Sequence, residues 1–235
     1  MNPAKFFKNI GNRIVNLKYY FNRLPESANL DIPYFSQFMS ADLVEKYIND
    51  KPSLATDPKW RESGAKTIEE YQMWTWSDCG ITCFKMILGA IDHKYDGLTL
   101  IELAKTAKRF GAFEDDPKMP SGLHYKEFCD YVTRELGLSA KPETNLSLRQ
   151  IKYKVSAGNF VIISVNPNIR HPKSATPATR GGHLVLVVGY NDNRGGLYVH
   201  NPSGYRSNNS QNHAFISYSD FKKFFAGRGI IIKKP

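Results

Sequence analysis

The sequence predicts an α+β fold: a helical first part packed on a mainly antiparallel sheet, with a cleft between them. Three observations carry this expectation. Up to about residue 158, apolar residues recur at helical spacing, in segments that open on capping residues and close on glycine. From residue 160 the pattern changes to near-continuous apolar runs, 160–165 and 183–190, as expected of strands buried on both faces. Asn193-Arg194-Gly195-Gly196 then reads as a tight turn, which joins antiparallel neighbours.

The elements follow in order. Phe6, Ile10, Ile14, Leu17 and Phe21 share one helical face, and Lys5, Lys8, Arg13, Lys18 and Arg23 all precede the first acid, Glu26. Residues 1–28 are therefore expected to be a basic amphipathic helix and its linker, with 24–29 as the linker. Residues 29–235 are expected to be one domain. A helix is expected over 41–49 and a loop over 51–65, where Pro52, Pro58 and Gly64 interrupt any pattern. Thr67-Ile68-Glu69-Glu70 opens a short helix as a capping box, and a helix from Cys79 to about residue 90 follows. Thr99 to Glu102 caps the next, ending near Gly111. Residues 123–136 form another with Gly137 as its stop, and Ser147 to Gln150 caps one that stops at Gly158. Strands are expected over 160–165, 183–190, 197–200, 214–217 and 229–233, with a helix over 219–226.

Composition limits the function classes. The length of 235 residues with 41% hydrophobic content suits a folded domain with a real core. The net charge is +10, and five of those charges sit in the first 25 residues, so the remaining excess argues against a nucleic-acid-binding core. The basic helix suits an anionic membrane surface or a protein partner. No run of 18 apolar residues and no secretory h-region is present. Three cysteines form no disulfide framework, which suits the cytoplasm. No Cys or His pair has zinc spacing, so neither metal nor cofactor is expected. A phosphate loop and a Gly-x-Ser-x-Gly elbow are both missing.

The chemistry concentrates at three places. Cys79, in Asp78-Cys79-Gly80, opens an apolar helix whose unpaired N–H groups favour a thiolate. His183, in Gly181-Gly182-His183, opens a buried strand and suits a general base. Asn201, in Asn201-Pro202-Ser203-Gly204, follows the next strand and suits the group that orients an imidazole. Gly80 is expected to keep the backbone beside the thiol open to substrate. Cys83 and Cys129 read as core thiols. Trp74 and Trp76 suit either a cleft wall or the core, and 166–180, leading into His183, suits a cleft-lining loop. The acidic run Glu114-Asp115-Asp116 reads as a solvated loop or a substrate-selecting rim.

These pieces, with Asp31-Ile32-Pro33-Tyr34-Phe35-Ser36-Gln37 and Gly189-Tyr190, resemble the C39-like peptidases of the papain-like superfamily, from about residue 31 to the C-terminus. The resemblance implies a papain-like fold, with Cys79 as nucleophile, His183 as base and Asn201 as orienting residue. The family more often has Asp before that Pro, and neutral Asn changes the electrostatics more than the geometry. It also implies a Gln upstream of the Cys as oxyanion donor. Gln37 carries the motif, which makes 38–77 an insertion; Gln72 is nearer to Cys79 but lacks the motif, and is the alternative. The expected function is thiol-dependent hydrolysis of a peptide or amide substrate. Two alternatives are transfer of the acyl group to an amine and a catalytically silent peptide-binding module.

Overall fold

A computed structural model of the chain describes residues 23–114 and 122–235. The amphipathic helix expected within 1–28 falls, up to residue 22, outside the described residues, as do Asp115 and Asp116.

Among the described residues there are seven α-helices and seven strands. The helices are α1 (Val44–Asn49), α2 (Ile68–Thr75), α3 (Cys79–Ile91), α4 (Leu100–Arg109), α5 (Tyr125–Leu136), α6 (Leu148–Ser156) and α7 (Tyr218–Phe224). The strands are β1 (Ser27–Asn29), β2 (Ala140–Glu143), β3 (Phe160–Val165), β4 (His183–Asn191), β5 (Gly196–His200), β6 (Ala214–Ser217) and β7 (Phe225–Ile232). The sheet runs β2-β7-β3-β4-β5-β6, with every pairing antiparallel, and β1 pairs with β4. The chain is thus α+β, with helices leading and the sheet following, as expected.

The apolar runs are near-continuous because both sheet faces are covered. Ile162, Leu184, Leu186, Val188, Ile230 and Ile232 point into the core shared with α3, α4 and α5. Their alternates Val161, Ile163, Val165, Val185, Val187 and Ile231 point into a second core with α6 and α7. This is the two-residue period of a strand with an apolar layer on each side. Cys83 and Cys129 are buried in the first core.

Local signals set most boundaries. Both halves of the capping box form at Thr99–Glu102 and at Ser147–Gln150. At Thr67 only one half forms: its hydroxyl accepts from Glu70 N, while the Glu70 carboxylate accepts from Lys66 N at 2.7 Å. Gly137 ends α5 at φ 67°, a left-handed C-cap that suits glycine. The expected loop over 51–65 is two 3-10 turns, Lys51–Thr56 and Trp60–Ser63, tied to buried Asp57. Asp57 accepts from Ser40 Oγ at 2.6 Å and Tyr71 Oη at 2.5 Å. Residues of 38–77 build a small core of their own, in which Phe38, Val44, Tyr47, Leu54 and Tyr71 pack with Tyr205.

Two strands are absent from the sequence reading, and β7 begins at Phe225, ahead of the expected 229, so the helix expected over 219–226 ends at Phe224. β2 carries Pro142 between Lys141 and Glu143, and such a segment is tolerated because β2 is the sheet edge. Ser27–Asn29, read as linker, is β1: it pairs with β4 from Asn191 to Gly189, beyond the stretch of β4 that β3 covers. Tyr190 Oη also donates to the Pro25 carbonyl at 2.9 Å. A chain starting at Asn29 is therefore expected to be about 1–3 kcal/mol less stable than one starting at Arg23, because a few backbone bonds of ~1 kcal/mol each are lost. Urea unfolding of the two chains measures this, and equal midpoints would contradict it.

Candidate active site

The sheet brings His183 and Asn201 together. His183 is the first residue of β4, opposite Val165 of β3. β5 lies along the other edge of β4 and ends at His200, so Asn201 emerges beside His183. His183 Nε2 lies 2.8 Å from Asn201 Oδ1, and both residues are buried.

The Asp31–Gln37 stretch fastens this corner. Tyr34 Oη donates to the Asn201 carbonyl at 3.1 Å, and the Pro202 carbonyl accepts from Ser36 Oγ and Gln37 N, each at 3.0 Å. Ile32 O lies 2.9 Å from His200 Nε2. Two segments about 165 positions apart are thereby joined through buried and part-buried hydrogen bonds, which are costly to leave unmade.

Hydrogen bonding fixes the imidazole tautomer. Ser203 N donates to Asn201 Oδ1 at 3.2 Å, which identifies that atom as the carboxamide oxygen. The nitrogen facing it, His183 Nε2, must then carry the proton. Nδ1 is left with the lone pair and is the basic nitrogen. Ser203 Oγ lies 3.1 Å from the same Nε2. Ser203 is in turn clamped by Arg170, whose Nε donates to the Ser203 carbonyl and whose Nη2 donates to its hydroxyl, both at 2.6 Å. Arg170 and Ser203 were not singled out as site residues from sequence. Arg170 did fall in the basic loop expected to border the cleft, and Ser203 in the Asn-Pro-Ser-Gly motif, but nothing in their spacing signals the contact.

The thiol comes from the helical side. Cys79 is the first residue of α3, and intrahelical bonding begins with Thr82 N donating to Asp78 O at 2.8 Å. The N–H groups of Cys79, Gly80 and Ile81 thus have no partner inside the helix. α3 packs on β4, where Cys83 Sγ lies 3.7 Å from the Leu184 carbonyl. Cys79 and His183 line one cleft of about 470 Å³, walled by Trp76, Leu123, Tyr125 and Leu184. Trp76 is a cleft residue, while Trp74 is core. Gly80 has a different purpose from the one expected: a Cβ there would lie 2.6 Å from Leu123 Cδ2 and 2.7 Å from Leu184 Cδ1. Its missing side chain admits apolar packing instead of leaving backbone open to substrate.

Burial governs the charges. It pushes the Cys79 thiol up to about 11, opposed by a backbone hydrogen bond from Leu184. Burial, and then the Arg170 cation, push His183 down to about 3, while the Asn201 hydrogen bond opposes them. Burial also holds the Asp78 carboxyl well above its ordinary range, and its buried Oδ1 has no hydrogen-bond partner. Burial therefore favours the neutral thiol and the neutral imidazole. Stability should respond in acid. Unfolded His183 takes a proton near pH 6.5 while the folded ring stays neutral until about 3, so folding stability falls as pH drops through that window. His183→Gln is expected to flatten the decline in denaturant unfolding free energy between pH 6.5 and 4; an unchanged slope would contradict the buried neutral ring.

The two glutamines differ in placement. Gln37 is buried, with its backbone bonded to Pro202 O and its Nε2 donating to Thr75 O at 2.8 Å, four residues before Cys79. Gln72 is half-buried on α2. Among the described residues no helix is long and apolar enough to cross a membrane.

A protein described as a C39-like peptidase from Bacillus anthracis is similar in structure at 16% identity and a TM-score of 0.46, over 67% of this chain and 89% of that one. Xylellain, a cysteine protease from Xylella fastidiosa, is similar at 16% identity and a TM-score of 0.39, over 91% of this chain and 87% of that one. Comparison with curated proteins gives no match. The model of the Peptidase_C39 like family matches residues 30–228, most of the described domain, and the chain belongs to that family.

Proposed function

We propose that this chain is a cysteine peptidase in which Cys79, His183 and Asn201 act as a triad. The observation that carries the reading is the buried His183 Nε2–Asn201 Oδ1 contact of 2.8 Å, on the cleft that Cys79 also lines. With Nε2 protonated and held by Asn201, Nδ1 takes the thiol proton as the sulfur attacks the substrate carbonyl carbon. The carbonyl oxygen becomes an oxyanion, stabilised by the Cys79 N–H at the start of α3 and by the second Nε2 hydrogen of Gln37. The tetrahedral intermediate collapses, the C–N bond breaks, and the imidazolium returns its proton to the leaving nitrogen. Water, deprotonated by His183, then attacks the thioester; the products are a carboxylic acid and the restored thiol.

Arg170 contributes indirectly. Its two hydrogen bonds hold Ser203, whose N–H holds the Asn201 oxygen that orients His183. The Arg170 cation disfavours a charged imidazolium at His183 and favours a thiolate at Cys79, so its charge acts on both partners of the proton transfer.

The three thiols should separate in reactivity. Burial also raises Cys83 well above its ordinary range and pushes Cys129 up to about 12, and both are more buried than Cys79. Iodoacetamide is expected to label Cys79 first, faster as pH rises, and peptide mapping by mass spectrometry reads the order. Equal labelling of the three would remove the case for Cys79.

A further inference from the structure

We infer that the cleft holds an anion-selecting subsite in which Arg228 receives a carboxylate of the substrate. The inference rests on the peptidase reading only for the identity of the substrate; the subsite itself stands on the geometry below.

Arg228 lies on β7 where the pairing with β3 slips. Ile163 faces Gly229 and Val165 faces Phe225, so residues 226–228 bulge opposite Ser164 alone. Bulges of this kind re-aim side chains. Here the arginine is aimed across the sheet to the segment that carries the base. A Cβ at Gly181 would lie 2.7 Å from Arg228 Nη2 and 3.3 Å from Ser164 Oγ. The guanidinium therefore rests over the bare backbone of Gly181, two residues before His183. Gly181 sits at φ 97°, so an added side chain would be strained there as well as obstructed.

Among the described residues the guanidinium makes no ion pair, in contrast to Lys152, Lys173 and Lys223, which pair with Asp192 or Asp220. Among the described residues that line the cleft, none is acidic, and Arg228 is the one permanent charge. The rest of the wall is apolar or weakly polar, with Trp76, Leu123, Tyr125 and Leu184. A planar, always-charged fork beside apolar walls suits a carboxylate on an otherwise apolar peptide, and it can bind both oxygens at once. The carboxylate can come from an Asp or Glu side chain near the scissile bond or from the C-terminus of a peptide.

Two measurements test this. The first uses the reagent pair iodoacetate and iodoacetamide, which have similar size but differ in charge, the one anionic and the other neutral. The ratio of their second-order rates at Cys79 is expected to fall about tenfold in Arg228→Glu relative to the unaltered protein, with Arg228→Gln between them. The neutral reagent serves as the internal reference for thiol reactivity. The second uses mixtures of acetylated, amidated peptides read by mass spectrometry, with matched members carrying Glu or Gln at each position, and a parallel set with a free C-terminal carboxylate. Cleavage is expected to favour Glu at one fixed position, or else the free terminus, and Arg228→Glu to move that preference to Lys or Arg. An equal reagent ratio in the three proteins, or peptide cleavage whose preference ignores residue 228, would overturn the subsite. If the ratio shifts but no peptide is cut by any of the proteins, the subsite stands and the peptidase reading fails.

Discussion

Replacing either Cys79 or His183 with Ala is expected to lower kcat/KM on a cleaved peptide by on the order of 10⁴-fold or more, and replacing both to cost little beyond either alone. The thiol without its base stays protonated, because burial holds it up at about 11. The base without the thiol has nothing to activate but water. Each residue is therefore worth its full value only when the other is present, and the two losses do not add. Asn201→Ala should be milder, about 10²-fold, since Nδ1 remains but the ring loses the contact that sets its tautomer and angle. Peptide hydrolysis followed by chromatography measures all four variants. Near-normal turnover by His183→Ala would remove the base from the mechanism. Losses that add fully in the double variant would show that the two residues act separately.

Gln37→Ala is expected to lower turnover by ~10²–10³-fold, with little change in Cys79 labelling by iodoacetamide, the pattern of a lost oxyanion donor. The placement of Gln37 supports this. Its backbone is bonded to Pro202 O next to Asn201, and its side chain to Thr75 O just before Cys79, so it links the two sides of the site. The Nε2–Thr75 contact also fixes the carboxamide the right way round, since the reverse would set two oxygens against each other. Gln72→Ala on α2 is expected to have little effect. The reverse pattern would transfer the donor role to Gln72 and overturn the reading of 38–77 as an insertion.

Much of the fold was legible because its causes are local. Thr99 and Ser147 announce helix starts with a side chain three residues from its partner, and Gly137 announces an end through a backbone angle. β3 and β4 were legible as apolar runs because both sheet faces are covered. β2 and β1 were not, since Pro142 and the polar Ser27–Asn29 segment become strands only through the neighbour that pairs with them. The site divides in the same way. The surroundings of Cys79, His183 and Asn201 each carry a recognisable local pattern. The Arg170–Ser203 clamp spans 33 positions and depends on where two loops happen to meet. Gly80 was legible as necessary but not for its reason, because Leu123 and Leu184 reach it from other parts of the chain.

The central claim is a covalent bond between Cys79 and the acyl part of a substrate. The most direct measurement is an acid-quenched reaction with a peptide that the protein cuts, read by intact mass and then by peptide mapping. The account predicts an acyl adduct on Cys79 that forms and decays during turnover, is lost in Cys79→Ala, and forms far more slowly in His183→Ala. An adduct on Cys83 or Cys129, or undiminished hydrolysis by Cys79→Ala, would contradict it.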